Sequence, residues 1–305
     1  MAGTEPDADA LGVSASLNIS GNVAIKGVAA GTVEGAAASN ATVTAEAAAK
    51  GIDGGGDNDV IGNTGAINLL PSANAEGVAA SLDVSVNMIG ETEGSAMSDA
   101  SVVARSAATG IDGGEGDDRI TNEGAITLMK QDGADLADAY ALGVAATLDI
   151  SGNLNGTAEG EALSKTTTTA DVSATGISGA DGADSVTNTG MITADVDSEA
   201  LGVAAALGIT LTSNGTAEGG ALSDSSVIAE AGATGIDGGE GDDSIVNKLK
   251  EDSGSGGDIE LSASSDAESV AVSVEIAGTM KGAAEGKSVA DASAKGNASA
   301  TGLEG

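Results

Sequence analysis

The chain has 305 residues and a formal net charge of −36, from 47 acidic and 11 basic side chains, and it contains no histidine and no cysteine. Phosphate recognition needs clusters of lysine and arginine, so this charge argues against a nucleic-acid-binding protein. Without histidine base, thiolate nucleophile or transition-metal ligands, we also expect no enzyme. Phenylalanine and tryptophan are missing too, so any core must be thin.

High net charge with few aromatic residues is also the signature of a disordered chain. The regular alternation described below favours a folded protein instead. Residues 1–5 carry neither the basic nor the apolar region of a signal peptide, and no run of 18 apolar residues predicts a membrane span. We therefore expect a segment of a longer, exported protein whose export signal lies outside this sequence.

Four landmarks recur along the chain and divide it into repeats of about 59–67 residues. They are a Gly-Val strand, a Glu-Gly pair, a Thr-Gly or Lys-Gly entry to an Asp-rich loop, and a short strand after that loop. Repetition of this kind predicts one structural module stacked on itself. The units are approximately 12–76, 77–142, 143–201, 202–268 and a partial 269–305, within a single repetitive domain over residues 1–305.

Apolar side chains alternate with small or polar ones after each Gly-Val landmark, and this period of two predicts strands. We expect the larger aliphatic side chains to face the core. In the third unit they are Val144, Ala146, Leu148 and Ile150. A second strand before each Asp-rich loop has a smaller inner face. In the second unit that face is Val102, Ala104, Ser106 and Ala108.

Alanine-rich runs would also suit a helix, but the density of Gly, Thr, Ser and Val favours strands, and we expect almost no helix. The segments of variable length, 130–141 and 248–269, are rich in Asp, Gly, Ser and Lys and are predicted to be loops.

The Asp-rich loop at residues 113–121 fits the nonapeptide G-G-x-G-x-D-x-U-x, in which U is a large aliphatic residue. Residues 238–246 fit it again, residues 179–187 fit with Ala180 in place of one glycine, and residues 54–62 have Asp57 in place of another. Calcium takes 6–8 oxygen ligands, which flexible Gly-Asp loops supply. The predicted carboxylate donors are Asp59, Asp118, Asp184 and Asp243, with Asp117 and Asp242 as further acids nearby.

These loops resemble the calcium-binding nonapeptide of repeat-in-toxin (haemolysin-type) proteins, which are secreted by bacteria. The resemblance implies that the glycines let the backbone turn, that the Asp carboxylate completes a calcium site between neighbouring turns, and that the aliphatic residue points into the core. In that family the nonapeptides run in tandem, whereas here each one stands alone.

Two arrangements of the repeat stay open. If one repeat forms several small turns, the Asp loops lie far apart. If one repeat forms a single wide turn, the loops stack about 4.8 Å apart, where like charges repel by about 4 kcal/mol at an effective dielectric constant of 20 and need cations. The alternative interpretation is that the loops are plain turns, with Gly for positive φ and Asp for local hydrogen bonds.

A second resemblance follows each loop. The motif I/V-x-N-x-G, at residues 61–65, 120–124 and 186–190, is similar to the strand breaks of β-helical adhesins and autotransporter passenger domains of bacteria. Together the patterns predict an all-β fold, a parallel β-solenoid that is a right-handed β-helix. The predicted protein is an extracellular or cell-surface structural or adhesive stalk that binds calcium. The alternative is a filament or surface-layer subunit that polymerises end to end through its open ends.

Overall fold

The protein is an all-β molecule in which nearly every described residue belongs to a strand that runs parallel to its neighbours. The computed structural model describes residues 6–22, 31–129, 139–249 and 256–305. Within those ranges there is no helix, as predicted, and hence none that is long and apolar enough to cross a membrane. The strands are β1 (Asp7–Asn22), β2 (Gly31–Asp53), β3 (Val60–Asn63), β4 (Ile67–Asn68), β5 (Ser72–Glu115), β6 (Arg119–Asn122), β7 (Ile126–Met129), β8 (Ala139–Asp181), β9 (Ser185–Asn188), β10 (Ile192–Asp237), β11 (Ser244–Asn247) and β12 (Ile259–Glu304).

Each repeat forms one wide layer, and the layers stack in register. Val78 of β5 pairs with Val144 of β8, which pairs with Val203 of β10, which pairs with Val270 of β12. The described residues form five layers, numbered 1 to 5 and contained in residues 6–63, 67–122, 126–188, 192–247 and 259–304. Neighbouring strands lie about 4.8 Å apart. Of the two arrangements left open by the sequence, the structure has one wide layer per repeat, so the Asp loops stack.

Every layer contains two long arms, and layers 1 to 4 also contain a short strand. In layer 4 the first arm spans residues 192–213 and the second arm spans residues 216–237, both within β10. Gly215 joins them with a φ of +142°, a conformation that glycine adopts without steric cost. The short strands β3, β6, β9 and β11 form a separate four-stranded parallel sheet. This stack of parallel layers is consistent with a β-solenoid.

The aliphatic core lies where the short strand meets the ends of the two arms. Ile111 at the end of the second arm, Ile120 on β6 and Ile126 on β7 are fully buried. Ile177, Val186 and Ile192 occupy the same places one layer up. Each such side chain contributes about 1.5–3 kcal/mol on burial. The aliphatic residue of each nonapeptide in layers 1 to 3 therefore points inward, as the resemblance implied.

The two arms face each other across a thin interior. The predicted inner face of the second arm is confirmed, because Val102, Ala104 and Ala108 are buried. The first arm has a glycine opposite these side chains, because there is no space for a larger residue. A Cβ added to Gly77 would lie 2.5 Å from Cγ2 of Val102, well inside van der Waals contact.

The predicted inner face of the first arm is wrong. The Val-Leu-Ile face points outward, and in layer 1 Val13, Leu17 and Ile19 are 65–71% exposed. The alternate face, which carries Asp83 and Asp149, is the buried one, and both aspartates are 0% exposed. The physical reason is thickness, because the arms approach so closely here that Gly94 lies opposite Asp149. A Cβ on Gly94 would lie 2.6 Å from Oδ1 of Asp149, so the interior has no room for a layer of leucine and isoleucine.

A ladder of asparagines ends the short strands. The side-chain Nδ2 of Asn63 donates to Oδ1 of Asn122 at 2.7 Å, Asn122 donates to Asn188 at 2.7 Å, and Asn188 donates to Asn247 at 2.8 Å. Asn122 and Asn188 are fully buried, and Nδ2 of Asn122 also donates to the carbonyl of Gly124 at 3.0 Å. The I/V-x-N-x-G motif is therefore a strand break whose asparagine connects one layer to the next.

The loop predictions for the variable segments were partly wrong. Residues 259–269 belong to β12, because Ile259–Ser269 pairs with residues 192–202 of β10 along its whole length. Residues 139–141 likewise open β8. Residues 130–138 and 250–255 lie outside the described residues. Polar, glycine-rich composition did not distinguish a loop from a strand whose outer face meets solvent.

Candidate functional site

The four nonapeptide aspartates form one column along the stack. Each Asp stands immediately before a short strand, and those strands are in register, with Arg119 of β6 pairing with Val60 of β3 and with Ser185 of β9. One repeat per layer therefore brings together residues that are 59–66 positions apart in sequence. The members of the column are Asp59, Asp118, Asp184 and Asp243.

One carboxylate oxygen of each upper aspartate ties two layers together. The backbone N–H of Asp59 donates to Oδ1 of Asp118 at 2.7 Å, that of Asp118 donates to Asp184 at 2.7 Å, and that of Asp184 donates to Asp243 at 2.9 Å. Hydrogen bonds to an ionised acceptor are the stronger kind. The column is therefore structural as well as charged.

The other carboxylate oxygen, Oδ2, is buried and has no hydrogen-bond partner in any of the four aspartates. Asp118 and Asp184 are each only 2% exposed. Their Oδ2 atoms face the first glycine of their own loops, since a Cβ added to Gly113 or Gly179 would lie 2.5 Å from Oδ2 of Asp118 or Asp184. Buried polar atoms are normally paired, so four stacked unpaired oxygens identify a place for a cation or a proton.

Charge repulsion acts along this column. Carboxylates about 4.8 Å apart repel by about 3–4 kcal/mol at an effective dielectric constant of 20. Burial raises the pKa of Asp184, and the neighbouring charges of Asp118, Asp243 and Asp117 raise it further, against the stabilising hydrogen bond from the backbone of Asp118. A bound cation would relieve the same repulsion without protonation.

Asp117 and Asp242, the two further acids predicted nearby, are exposed on the outside of the loop. The backbone N–H of Asp117 donates to Oδ1 of Asn58 at 3.0 Å, and the N–H of Ala183 donates to Oδ1 of Asp117 at 3.0 Å. Asp117 therefore belongs to a second, outer column. Its carboxylate is not among the buried unpaired oxygens.

The loop turns the same way in all four repeats, despite the substitutions in the motif. Its second and fourth positions have positive φ, as in Gly114 (+96°) and Gly116 (+122°). Asp57 and Ala180 stand where glycine is expected and still adopt φ values of +71°. The stack imposes this conformation on side chains that rarely adopt it.

The described residues contain no group of three or more acidic side chains converging on one point as a preformed metal site would. Each layer supplies one carboxylate to the inner column, so a bound calcium ion would draw its other oxygen ligands from backbone carbonyls of the Gly-rich loop. The column fits calcium in donor chemistry.

A second buried acidic column lies between the two arms, where the sequence predicted an aliphatic core. Its successive layers carry Asn18, Asp83, Asp149, Gly208 and Glu275. Nδ2 of Asn18 donates to Oδ1 of Asp83 at 2.5 Å. The Glu275 carboxylate occupies the space left by Gly208, because a Cβ on Gly208 would overlap its Oε2.

Burial raises the pKa of Asp149 to about 7, and the charges of Asp83 and Glu275 add to that effect, against a hydrogen bond from Ser151. Burial also raises the pKa of Glu275, and the nearby Thr210 hydroxyl acts in the opposite direction. The sequence feature that could have predicted this acidic column is the glycine of each Glu-Gly landmark. Gly94 and Gly160 face it, while the glutamate before each glycine points outward.

The outward glutamates of those landmarks stack on the second arm. Together with their neighbours they line an open groove of about 710 Å³. The stacked glutamates are Glu34, Glu93, Glu159 and Glu218. This groove explains the recurrence of the Glu-Gly pair, in which the glycine makes room inside and the glutamate meets solvent.

Comparison with known proteins identifies no relative: no family model, no curated protein and no solved structure matches this chain. The likeness to repeat-in-toxin and β-helical adhesin repeats stays a prediction from the motifs.

Proposed function

We propose that this chain is a non-enzymatic, extracellular structural segment of a bacterial surface protein, a stalk or adhesive module built as a right-handed parallel β-solenoid and stabilised by calcium. The observation that carries the proposal is the inner Asp column with its four buried, unpaired Oδ2 atoms. Extracellular calcium sites have dissociation constants of about 0.1–1 mM, which suits loops that supply one carboxylate per layer.

Calcium is the cation that the loop chemistry favours. The available donors are carboxylate and backbone carbonyl oxygens, and the chain has no histidine or cysteine to select a softer metal. Bound calcium would lie against Asp118 and Asp184, remove the repulsion between layers and hold the short strands in register. A stack of layers stiffened in this way suits a protein that bears load outside the cell.

Calcium is expected to raise the stability of the folded chain. At 10 mM calcium and a dissociation constant of about 0.1 mM, one site contributes about 2.7 kcal/mol. Urea unfolding followed by circular dichroism measures this, with sodium chloride matched for ionic strength. The combined variant Asp118→Asn and Asp184→Asn keeps the Oδ1 acceptor of the hydrogen bonds between layers but removes the charge. It should lose most of the stabilisation by calcium.

The matched control replaces two acids of the second arm that lie away from the loops, Asp99→Asn in β5 and Asp224→Asn in β10, and it should keep the response. An unfolding midpoint that calcium and a chelator leave unchanged in the native chain would remove calcium from the proposal. If the control variant lost the stabilisation by calcium equally, that stabilisation would be due to general screening of the net charge.

The second candidate function is a filament or surface-layer subunit that grows end to end. It is favoured by the shape of a layer, because about 60 residues advance the stack by only about 4.8 Å, while the 22-residue arm of layer 4 is about 70 Å long. The backbone edge of β12 faces no further layer among the described residues, and such edges pair readily.

End-to-end growth predicts particles whose mass rises without limit as protein concentration increases, measured by light scattering and electron microscopy. A stalk segment gives particles of fixed mass over the same range. Fixed mass at high concentration contradicts the filament and leaves the calcium result unaffected.

A further inference from the structure

The outer face of the first arm is an uninterrupted apolar sheet surface. Four columns of side chains, two residues apart, run up all five layers, and we call them the outer apolar face. Its members are Val13, Ala15, Leu17 and Ile19 in layer 1, Val78, Ala80, Leu82 and Val84 in layer 2, Val144, Ala146, Leu148 and Ile150 in layer 3, Val203, Ala205, Leu207 and Ile209 in layer 4, and Val270, Val272, Val274 and Ile276 in layer 5. No charged side chain interrupts these columns.

The area of this face matches an interface. Five strands about 4.8 Å apart and four columns about 6.6 Å apart cover on the order of 600 Å². Contiguous apolar patches of about 600 Å² are at the upper end of those found on monomers, and such patches are often functional. Two such faces packed together bury about 1,200 Å², the lower limit of a standard protein–protein interface.

The face has relief as well as area. The alanine column lies between the valine and leucine columns and forms a groove of about 500 Å³ that crosses all five layers. A row of leucines stands beside it as a ridge. We infer that this face binds a second copy of the same chain, with the leucine ridge of each copy seated in the alanine groove of the other.

One two-fold arrangement satisfies this fit. A two-fold axis parallel to the stack, between the alanine and leucine columns, reverses the column order and keeps each layer opposite its own equivalent. Layer 5 supports this pairing, because it has valine both in the alanine column and in the leucine column. Val272 fills the groove where Val274 shortens the ridge, so the pair of facing positions keeps nearly the same volume.

Charge favours the same axis over the alternative. The outward-facing acids of the first arm lie at its beginning, before the apolar columns, as with Asp9 and Asp266. Reversing the column order sets Asp266 opposite Met280 of the second copy. A two-fold axis along the strands would instead set Asp9 opposite Asp266, and like charges so close are destabilising.

The test is the mass of the native chain in solution, by sedimentation equilibrium at micromolar concentration in 0.15 M salt. We expect a two-chain particle that grows no further, because a two-fold interface is closed. The combined variant Leu148→Lys and Leu207→Lys should weaken the pairing at least about 100-fold, since each lysine replaces a buried leucine twice in the dimer. These positions face outward, and unchanged circular dichroism checks that the fold is intact.

The matched control is Leu163→Lys and Leu222→Lys, which changes leucines on the outer face of the second arm of the same strands and should leave the two-chain mass unchanged. A second variant, Ala146→Leu and Ala205→Leu, fills the groove while adding apolar surface. It should weaken pairing by about 10-fold or more, whereas a merely sticky face would associate more tightly. A one-chain mass at every concentration overturns the inference, as does a one-chain particle that binds neutral phospholipid vesicles through this face.

Discussion

Asn122→Asp is expected to destabilise the folded chain by about 3–5 kcal/mol at pH 7. The change keeps the size of the side chain but replaces its donor with a carboxylate oxygen. Oδ1 of Asn188 then keeps only the longer hydrogen bond from the backbone N–H of Gly190 at 3.2 Å, and the carbonyl of Gly124 loses its side-chain donor. A charge is also enclosed at a position that is 0% exposed. An uncompensated buried charge has a cost of this order. Urea unfolding at pH 7 measures it.

The control for this variant is Asn40→Asp, which adds the same charge on the exposed outer face of β2. Surface substitutions of this kind change stability by about 0.5 kcal/mol or less. Lowering the pH should restore part of the loss at position 122, because a protonated carboxyl regains one donor. Equal losses in both variants would show that the asparagine ladder adds nothing beyond its charge neutrality.

Asp149 is expected to make the protein less stable as the pH rises from 4 to 8. Its pKa is raised from an ordinary 3.8 to about 7, so between those values the folded chain holds a proton that the unfolded chain has released. Stability is then greatest below the unfolded pKa and is lost as the pH rises through about 7. One pKa unit is worth about 1.36 kcal/mol, which makes the loss about 4 kcal/mol. The raised pKa values of Glu275 and Asp184 act in the same direction.

Asp149→Asn should remove this part of the pH dependence. An amide cannot ionise, and the column already accepts one at Asn18, whose Nδ2 donates to Asp83. The variant should therefore lose about 4 kcal/mol less than the native chain between pH 4 and pH 8, in urea unfolding at both values. Asp171→Asn, on the outer side of the same strand, controls for the general effect of net charge. A variant whose pH profile follows that of the native chain would contradict the assignment to Asp149.

The repeats, the strands and the stacking were predictable because they depend on period and spacing. The Asp loops and the Asn-x-Gly breaks have the same successive separations, 59, 66 and 59 residues, and this shared spacing indicates which residues lie above one another. The inner Asp column then required only the knowledge that one repeat makes one layer. That last fact was not in the pattern, since several small turns per repeat would have the same periodicity.

The inward face of the first arm could not be read from alternation. Period two says that residues 144 and 145 point to opposite sides, and it does not say which side is enclosed. Hydrophobicity favoured Val144 and Leu148 as the enclosed residues. The interior is too thin for them, and Asp149 is enclosed instead. The evidence was in another part of the repeat, where Gly94 and Gly160 leave room for one side chain and no more. Only the packing of the two arms against each other shows that these glycines face the aspartates.

A stack with one repeat per layer has a consequence for how such a protein changes in evolution. Layers 1 to 4 each carry one copy of every feature, namely one loop carboxylate, one strip of apolar surface and one increment of height. Duplicating or deleting a repeat by recombination within the gene would therefore change ion capacity, contact area and length in fixed proportion, while leaving the cross-section untouched. The number of repeats alone would then set the ion capacity, the contact area and the length, without any new substitution.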